Sequence, residues 1–198
     1  MRNPGAHDRL ISPLMKPEEY EGWVTAAEKR TAEGFGSPRR RAEYLTWRAL
    51  VRQYYGHDLQ FAYDALGAPY VVDHPEWYLS VSHTKTCVVV LLSEYRCGID
   101  MEETNRRFQR IRHKYLTDEE LALSDHPHFL AIAWCAKEAL YKYAGERELD
   151  FTQDLRLLGF DAGRAEGQLR AQIKDGEPLW LTVDVESDYV IVEVVDGR

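Results

Sequence analysis

Hydrophobic positions along the chain follow two periods, and the stretches where one period holds predict the elements. From Ala131 onward the period is that of a helix: Ile132, Ala136, Ala139, Leu140 and Tyr143 make one apolar stripe, while Ala131, Cys135, Glu138 and Lys142 fall on the flank beside it. The pattern predicts a helix with one wet edge from about His128 to Tyr143, stopped by Gly145. From Gly98 to Glu102 the period is that of a strand, so Asp100 and Glu102 leave one face while Cys97, Ile99 and Met101 leave the other. Val88 to Leu92 is continuously apolar and reads as a strand covered on both faces.

The remaining elements follow in order. No strong signal precedes Leu14. Pro17-Glu18-Glu19 opens a helix expected to continue through Trp23 and Ala27 toward Thr31, with Gly34 to Gly36 as its break. Ser37-Pro38 is an N-cap and first-turn pair for a second helix running to about Tyr55, where Gly56 stops it. Leu59 to Tyr63 and Tyr70 to Val72 form a hairpin across Gly67-Ala68-Pro69, and Tyr78 to Ser82 forms a strand with His83-Thr84 at its carboxyl end. Thr117 with Glu120 is a capping box for a short helix ending near Ser124 to Pro127. The last stretch is strand-rich, with strands at Arg156 to Phe160, Gly167 to Ile173, Leu179 to Val185 and Tyr189 to Val195, and Asp175-Gly176 as a hairpin turn. Helices followed by strands, twice over, predict an α+β protein of two similar halves meeting near residue 97.

Composition narrows the class. In 198 residues of 44% hydrophobic content there is enough apolar surface for a core. No leader-like apolar segment follows Met1, and no run approaches membrane-spanning length, so a soluble cytoplasmic protein is expected. Cys87, Cys97 and Cys135 lie in apolar runs without metal-ligand spacing and read as buried reduced thiols. The net charge of -8 argues against a general nucleic-acid binder. Positive charge is nevertheless concentrated in Gly36 to Arg52 and Asn105 to Lys114, which together carry +9. Arg41, Arg48 and Arg52 are spaced as one helical stripe, either an anion-binding surface or an Arg-rich solvated face.

Two carboxylates on a strand and a third, Glu138, on a helix are the candidate chemistry. If they converge, their repulsion calls for a hard divalent cation. Otherwise Asp100 and Glu102 are edge-strand charges, Glu138 and Lys142 a solvated i, i+4 pair, and Trp134 and Tyr141 packing residues.

Gly98-Ile99-Asp100-Met101-Glu102 and, after 31 intervening residues, Trp134-Cys135-Ala136-Lys137-Glu138-Ala139-Leu140-Tyr141-Lys142 resemble the paired signatures of 4'-phosphopantetheinyl transferases of the surfactin-synthetase-activating (Sfp) type, within the holo-acyl-carrier-protein synthase superfamily. Gly67 to Pro69, Ser82-His83-Thr84 and the Arg-rich segment ending at Leu50 to Arg52 are similar to weaker features of that family. The resemblance implies two α+β halves related by a pseudo-twofold axis, residues 1–97 and 98–198, with a coenzyme A cleft between them and the metal motifs in the second. It implies transfer of the 4'-phosphopantetheine arm from coenzyme A to a serine of an apo acyl or peptidyl carrier protein, with release of 3',5'-ADP. Asp100, Glu102 and Glu138 would then hold Mg2+, with Glu138 also taking the serine proton and Lys142 neutralising a phosphate. Ser82 and His83 would meet the phosphates of coenzyme A, His83 the 3'-phosphate, with Lys29, Arg41 and Arg48 as further contacts. The carrier protein would dock on Arg106 to Lys114 with Leu116, Leu121 and Leu123, and the enzyme would act as a monomer without nucleic acid or membrane. Ala68 departs from the family's usual Lys, which leaves a coenzyme A-binding relative without transfer, or a metal-dependent phosphohydrolase, as alternatives.

Overall fold

The computed structural model describes residues 7–163 and 167–197. The chain divides into two compact units, the first ending at Glu94 and the second beginning at Tyr95. The sequence reading puts the boundary at residues 97 and 98; the observed division leaves the whole of the motif-bearing strand in the second unit.

In the first unit β1 (His7–Pro13) is followed by α1 (Pro17–Tyr20), α2 (Ala26–Glu33) and α3 (Pro38–Tyr55), then by the hairpin β2 (Phe61–Tyr63) and β3 (Pro69–Val71) and by β4 (Tyr78–His83) and β5 (Cys87–Ser93). The strands β1, β5 and β4 form an antiparallel sheet with β5 in the middle. That position is why Val88 to Leu92 is apolar throughout: each residue is fully buried. Strand β1 carries little signal of its own, because its pairing partner lies some eighty residues away and only Leu10 of its side chains is buried.

The helix expected from Pro17 toward Thr31 is two helices. Thr25 accepts a hydrogen bond from Glu28 N at 3.2 Å and Glu28 Oε2 accepts one from Thr25 N at 2.8 Å. This capping box starts a new helix after the turn at Gly22, and it was present in the sequence as Thr-x-x-Glu. Helix α3 begins as expected, with Ser37 Oγ accepting from Arg40 N. Its Trp47, Leu50, Val51 and Tyr55 pack with Val88, Val90 and Leu92.

The expected basic stripe on α3 is not a surface. Arg48 and Arg52 are each only 2% exposed. Arg52 makes a bidentate pair with Glu28 at 2.8 and 2.9 Å and also donates to Leu59 O and Trp23 O. Arg48 lies against Tyr44 and Trp47 and donates to Tyr44 O and Tyr63 OH. Arg48 and Arg52, four apart, thus face inward because one capping carboxylate, Glu28, pairs with both, while Arg41 stays exposed.

In the second unit β6 (Cys97–Glu103) leads through two 3₁₀ turns, Phe108–Arg110 and Arg112–Lys114, to α4 (Asp118–Leu121) and α5 (Phe129–Ala144), and then to β7 (Leu155–Asp161), β8 (Gly167–Ile173), β9 (Leu179–Val185) and β10 (Tyr189–Val195). One antiparallel sheet runs β6-β10-β9-β8-β7. Lys174 and Gly176 make the turn expected at Asp175-Gly176, with Gly176 N donating to Ile173 O. The chain is thus α+β, although the first unit divides its strands between a three-stranded sheet and a hairpin while the second has a single five-stranded sheet.

Helix α5 lies across this sheet, with Ile132, Ala136, Ala139 and Leu140 packed on Val190, Val192 and Val194 of β10 and on Leu155, Leu169 and Leu181 beyond it. Its approach to β6 is closest at Gly98, where an added Cβ would stand 2.1 Å from Ala139 O and 2.9 Å from Tyr143 N. Only glycine permits that contact. Gly145, at φ 61°, ends the helix in the left-handed conformation.

Lys137 is fully buried in the same helix and is a structural cation. Its Nζ donates to both oxygens of Glu120 at 2.7 and 2.8 Å and to Phe151 O at 2.7 Å. Glu120 in turn accepts from Thr117 N and Leu157 N, so one carboxylate ties α4, α5 and β7 together. Among the described residues no disulfide joins the three cysteines, of which Cys97 and Cys135 are buried and Cys87 half-buried. No helix among the described residues is long and apolar enough to cross a membrane.

Two outcomes follow for chemical denaturation. Gly98→Ala lowers the unfolding free energy by about 1–3 kcal/mol or more, because the obstruction is backbone. Lys137→Ala, which strands a buried carboxylate, lowers it by about 3–5 kcal/mol.

Candidate active site

The second unit gathers four of the candidate residues around the β6 and α5 contact. Gly98, Asp100 and Glu102 alternate along β6 and stand opposite Val194, Val192 and Val190, the β10 residues that pack under α5. The carboxylates therefore leave the sheet on the helix side. Asp100 is 5% exposed, while Glu102, Glu138 and Lys142 are half-buried.

Lys142 Nζ donates to Asp100 Oδ1 at 2.7 Å and to Ile99 O at 2.8 Å. It thus reaches across to the strand, where the sequence reading pairs it with Glu138 and a phosphate. Glu102 forms an ion pair with Arg106, and its Oε1 accepts a hydrogen bond from Trp134 Nε1 at 3.0 Å. The Arg106 guanidinium lies over the rings of Phe108 and Trp134. Trp134, expected as packing, also orients a carboxylate.

The electrostatics report crowding of negative charge. Burial, then the charge of Asp100, pushes the Glu102 carboxyl up to about 7, against the opposing pull of Arg106 and the Trp134 hydrogen bond. Burial and Asp100 also raise Glu138, with Lys142 and Arg106 opposing. The Cys135 thiol beneath them is pushed well above its usual range by burial and by the charges of Asp100 and Glu102. Among the described residues no three Asp, Glu, His or Cys side chains are grouped closely enough to hold an ion as they stand. Lys142 and Arg106 supply the positive charge instead. The donor chemistry nevertheless fits a hard divalent cation: three oxygen-donor carboxylates, two of them with proton affinity raised by burial and by the charge of Asp100.

In the first unit His83 stands exposed at the end of β4 and Ser82 is buried just before it. Of the expected basic contacts, Arg41 donates to Phe35 O, Lys29 pairs with Glu21, and Arg48 is buried. The cation beside His83 is Arg40, whose Nη1 lies 3.1 Å from His83 Nε2. The sequence reading missed it, although Arg40, Tyr44 and Trp47 share one helical face. With Tyr63 and His83 they bound a cavity of about 160 Å³. At the hairpin tip Asp64 Oδ1 accepts from Leu66 N and Ala68 N, and Ala68 is exposed.

A separate cavity of about 360 Å³ in the second unit is lined by Arg106, Arg107, Phe108, Arg110, His128 and Leu130. Of the expected docking leucines, Leu116 is buried and Leu121 and Leu123 are half-buried.

Residues 96–192 match the sequence model of the 4'-phosphopantetheinyl transferase superfamily. The second unit is a 4'-phosphopantetheinyl transferase superfamily domain. The match covers β6, α5 and all but the last residues of the five-stranded sheet, so Asp100, Glu102 and Glu138 all lie within it. No curated protein matches the chain.

The raised Glu102 carboxyl gives the transferase domain a measurable pH dependence. A carboxyl that binds its proton more tightly folded than unfolded contributes stability that is complete below its ordinary value of 4.5 and is lost as pH rises through about 7. In metal-free buffer, wild type should therefore lose up to about 3 kcal/mol relative to Glu102→Gln between those limits, read by urea unfolding. Parallel profiles for the two proteins would refute the assignment.

Proposed function

We propose that this protein is an Sfp-type, Mg2+-dependent transferase that moves the 4'-phosphopantetheine group from coenzyme A to a serine of an apo acyl or peptidyl carrier protein. The observation that supports the reading is that Asp100, Glu102 and Glu138 feel one another's charge beside the β6 and α5 contact, inside the segment that matches the superfamily. Asp100, Glu102 and Glu138 would hold the cation, whose charge would stabilise the diphosphate as it breaks.

The protein's own groups supply the remaining parts of an in-line phosphoryl transfer, in which positioning and charge stabilisation dominate. The serine oxygen forms a bond to the phosphorus that carries the pantetheine arm. The bond from that phosphorus to the bridging oxygen breaks, and 3',5'-ADP leaves with the electron pair. Glu138 takes the serine proton, its proton affinity raised by burial and by the charge of Asp100. Lys142, held at the site by Asp100 and Ile99 O, places an ammonium where charge builds on the transferring phosphate. His83 and Arg40 meet the 3'-phosphate of coenzyme A. The arginines at Arg106, Arg107 and Arg110 present a basic surface to the acidic carrier.

Incubation with fluorescent coenzyme A, Mg2+ and a panel of apo carrier proteins tests the reading. Labelled carrier and stoichiometric 3',5'-ADP are expected, both abolished by a chelator. Asp100→Asn and Glu138→Gln should each lower turnover at least about 100-fold while leaving the melting temperature near that of wild type. Binding of coenzyme A without labelling of any carrier, release of 3',5'-ADP without a carrier, or near-normal turnover in either variant would overturn it.

A further inference from the structure

Glu43 has no part in the reaction as described, yet it is placed where a helix facing a core would ordinarily carry an apolar residue. It is 3% exposed, on α3, below the rim of the aromatic cavity in the first unit. A buried carboxylate is costly unless compensated. It is compensated by Arg39, Arg40 and His83, of which Arg40 and His83 line the cavity. Oε1 lies 3.1 Å from Arg39 Nε and 3.5 Å from His83 Nδ1, and Oε2 lies 3.4 Å from Arg40 Nη1.

The same Arg40 nitrogen is 3.1 Å from His83 Nε2. Glu43 therefore faces one nitrogen of the imidazole, and the other stands beside a guanidinium. Which ring nitrogen is available to a ligand is set by what holds the opposite one. Because a guanidinium only donates, Nε2 accepts from Arg40 and Nδ1 is the nitrogen turned toward Glu43, so this one carboxylate places both the ring and the guanidinium beside it. Both arginine side chains are more than half exposed, at 56% and 55%, so their remaining donors are open to a ligand. Arg39 and Arg40 against one carboxylate leave a net positive charge around Glu43 even with His83 neutral. Glu43 Oε1, moreover, is a buried oxygen with ion-pair contacts but no aligned hydrogen bond.

We propose that Glu43 is a positioning residue for phosphomonoester recognition: through His83 Nδ1 and the Arg40 guanidinium it aims both groups at the 3'-phosphate of coenzyme A. The inference rests on the coenzyme A reading above and adds to it the residue that sets preference for the 3'-phosphorylated nucleotide.

Calorimetric titration of the whole protein with 3',5'-ADP and with ADP, which lacks the 3'-phosphate, reads this directly and needs no turnover. Wild type should prefer 3',5'-ADP. Glu43→Gln should weaken 3',5'-ADP about tenfold, the loss of one charge-assisted hydrogen bond, and leave ADP within about twofold. Glu43→Asp should recover part of the preference. In transfer assays Glu43→Gln should raise KM for coenzyme A with kcat unchanged and leave KM for 3'-dephospho-coenzyme A unchanged. Arg40→Ala, at an exposed side chain, should remove the same preference, and adding Glu43→Gln to it should cost little more. Equal effects on the two nucleotides, or tighter binding of 3',5'-ADP by Glu43→Gln, would overturn the role while transfer activity in wild type kept the broader reading intact. Absence of binding by either nucleotide to wild type, together with absence of transfer, would overturn both.

Discussion

One backbone contact organises the second unit. Helix α5 lies so close to β6 that no side chain fits between Gly98 and Ala139 O. This closeness follows from the alanines on the helix face, Ala136 and Ala139, opposite the valines of β10. It fixes both the height of the helix over the sheet and its rotation. Once those are set, Asp100 and Glu102 on the strand and Glu138 and Lys142 on the helix have no freedom to point into separate regions. A site assembled on regular elements in this way is held more firmly than one carried on loops.

The electrostatic character of the site follows from the same packing. Close approach removes water from the carboxylates before it provides them with partners, so Glu102 and Glu138 bind protons more tightly than free carboxyls do. The chain's own cations answer in two ways. Lys137, on the inward side of α5, meets Glu120 and closes a buried pair that joins α4, α5 and β7. Lys142, on the flank, meets Asp100 and stays half-buried. Two lysines five residues apart on one helix thus meet different carboxylates, because the helix turns one to the core and the other to the rim.

Much of this was legible in the sequence. Strands in the second unit were readable to within a residue or so because each buries alternate side chains on one face and is bounded by strong turn residues such as Asp175-Gly176. Helix α5 was readable from its apolar stripe and from Gly145. What escaped were features decided by partners distant in the chain. Nothing local to His7–Pro13 announces a strand, because β5 makes it one. A period of 3.6 shows Arg48 and Arg52 sharing a face, but it cannot say whether that face meets solvent or Glu28. Nothing local to Lys137 says that it is buried, because the carboxylate that makes this possible, Glu120, arrives from α4. Arg40 and Glu43 were hidden in a basic segment whose evident feature was charge, when the geometry around His83 depended on which of the arginines faced it. The break in the first helix is different: Thr25 and Glu28 spelled it out, and helix periodicity across Gly22 outweighed a capping signal that should have been given precedence.

The central claim is that carboxylates from β6 and α5 share one cation. Electron paramagnetic resonance titration with Mn2+, a spectroscopic stand-in for Mg2+, measures that sharing without turnover or carrier. The account predicts one site per chain that is weakened at least about tenfold by Asp100→Asn on the strand and equally by Glu138→Gln on the helix, with the double variant little worse than either. Full Mn2+ affinity retained after loss of either carboxylate would show that the two elements do not grip a common ion.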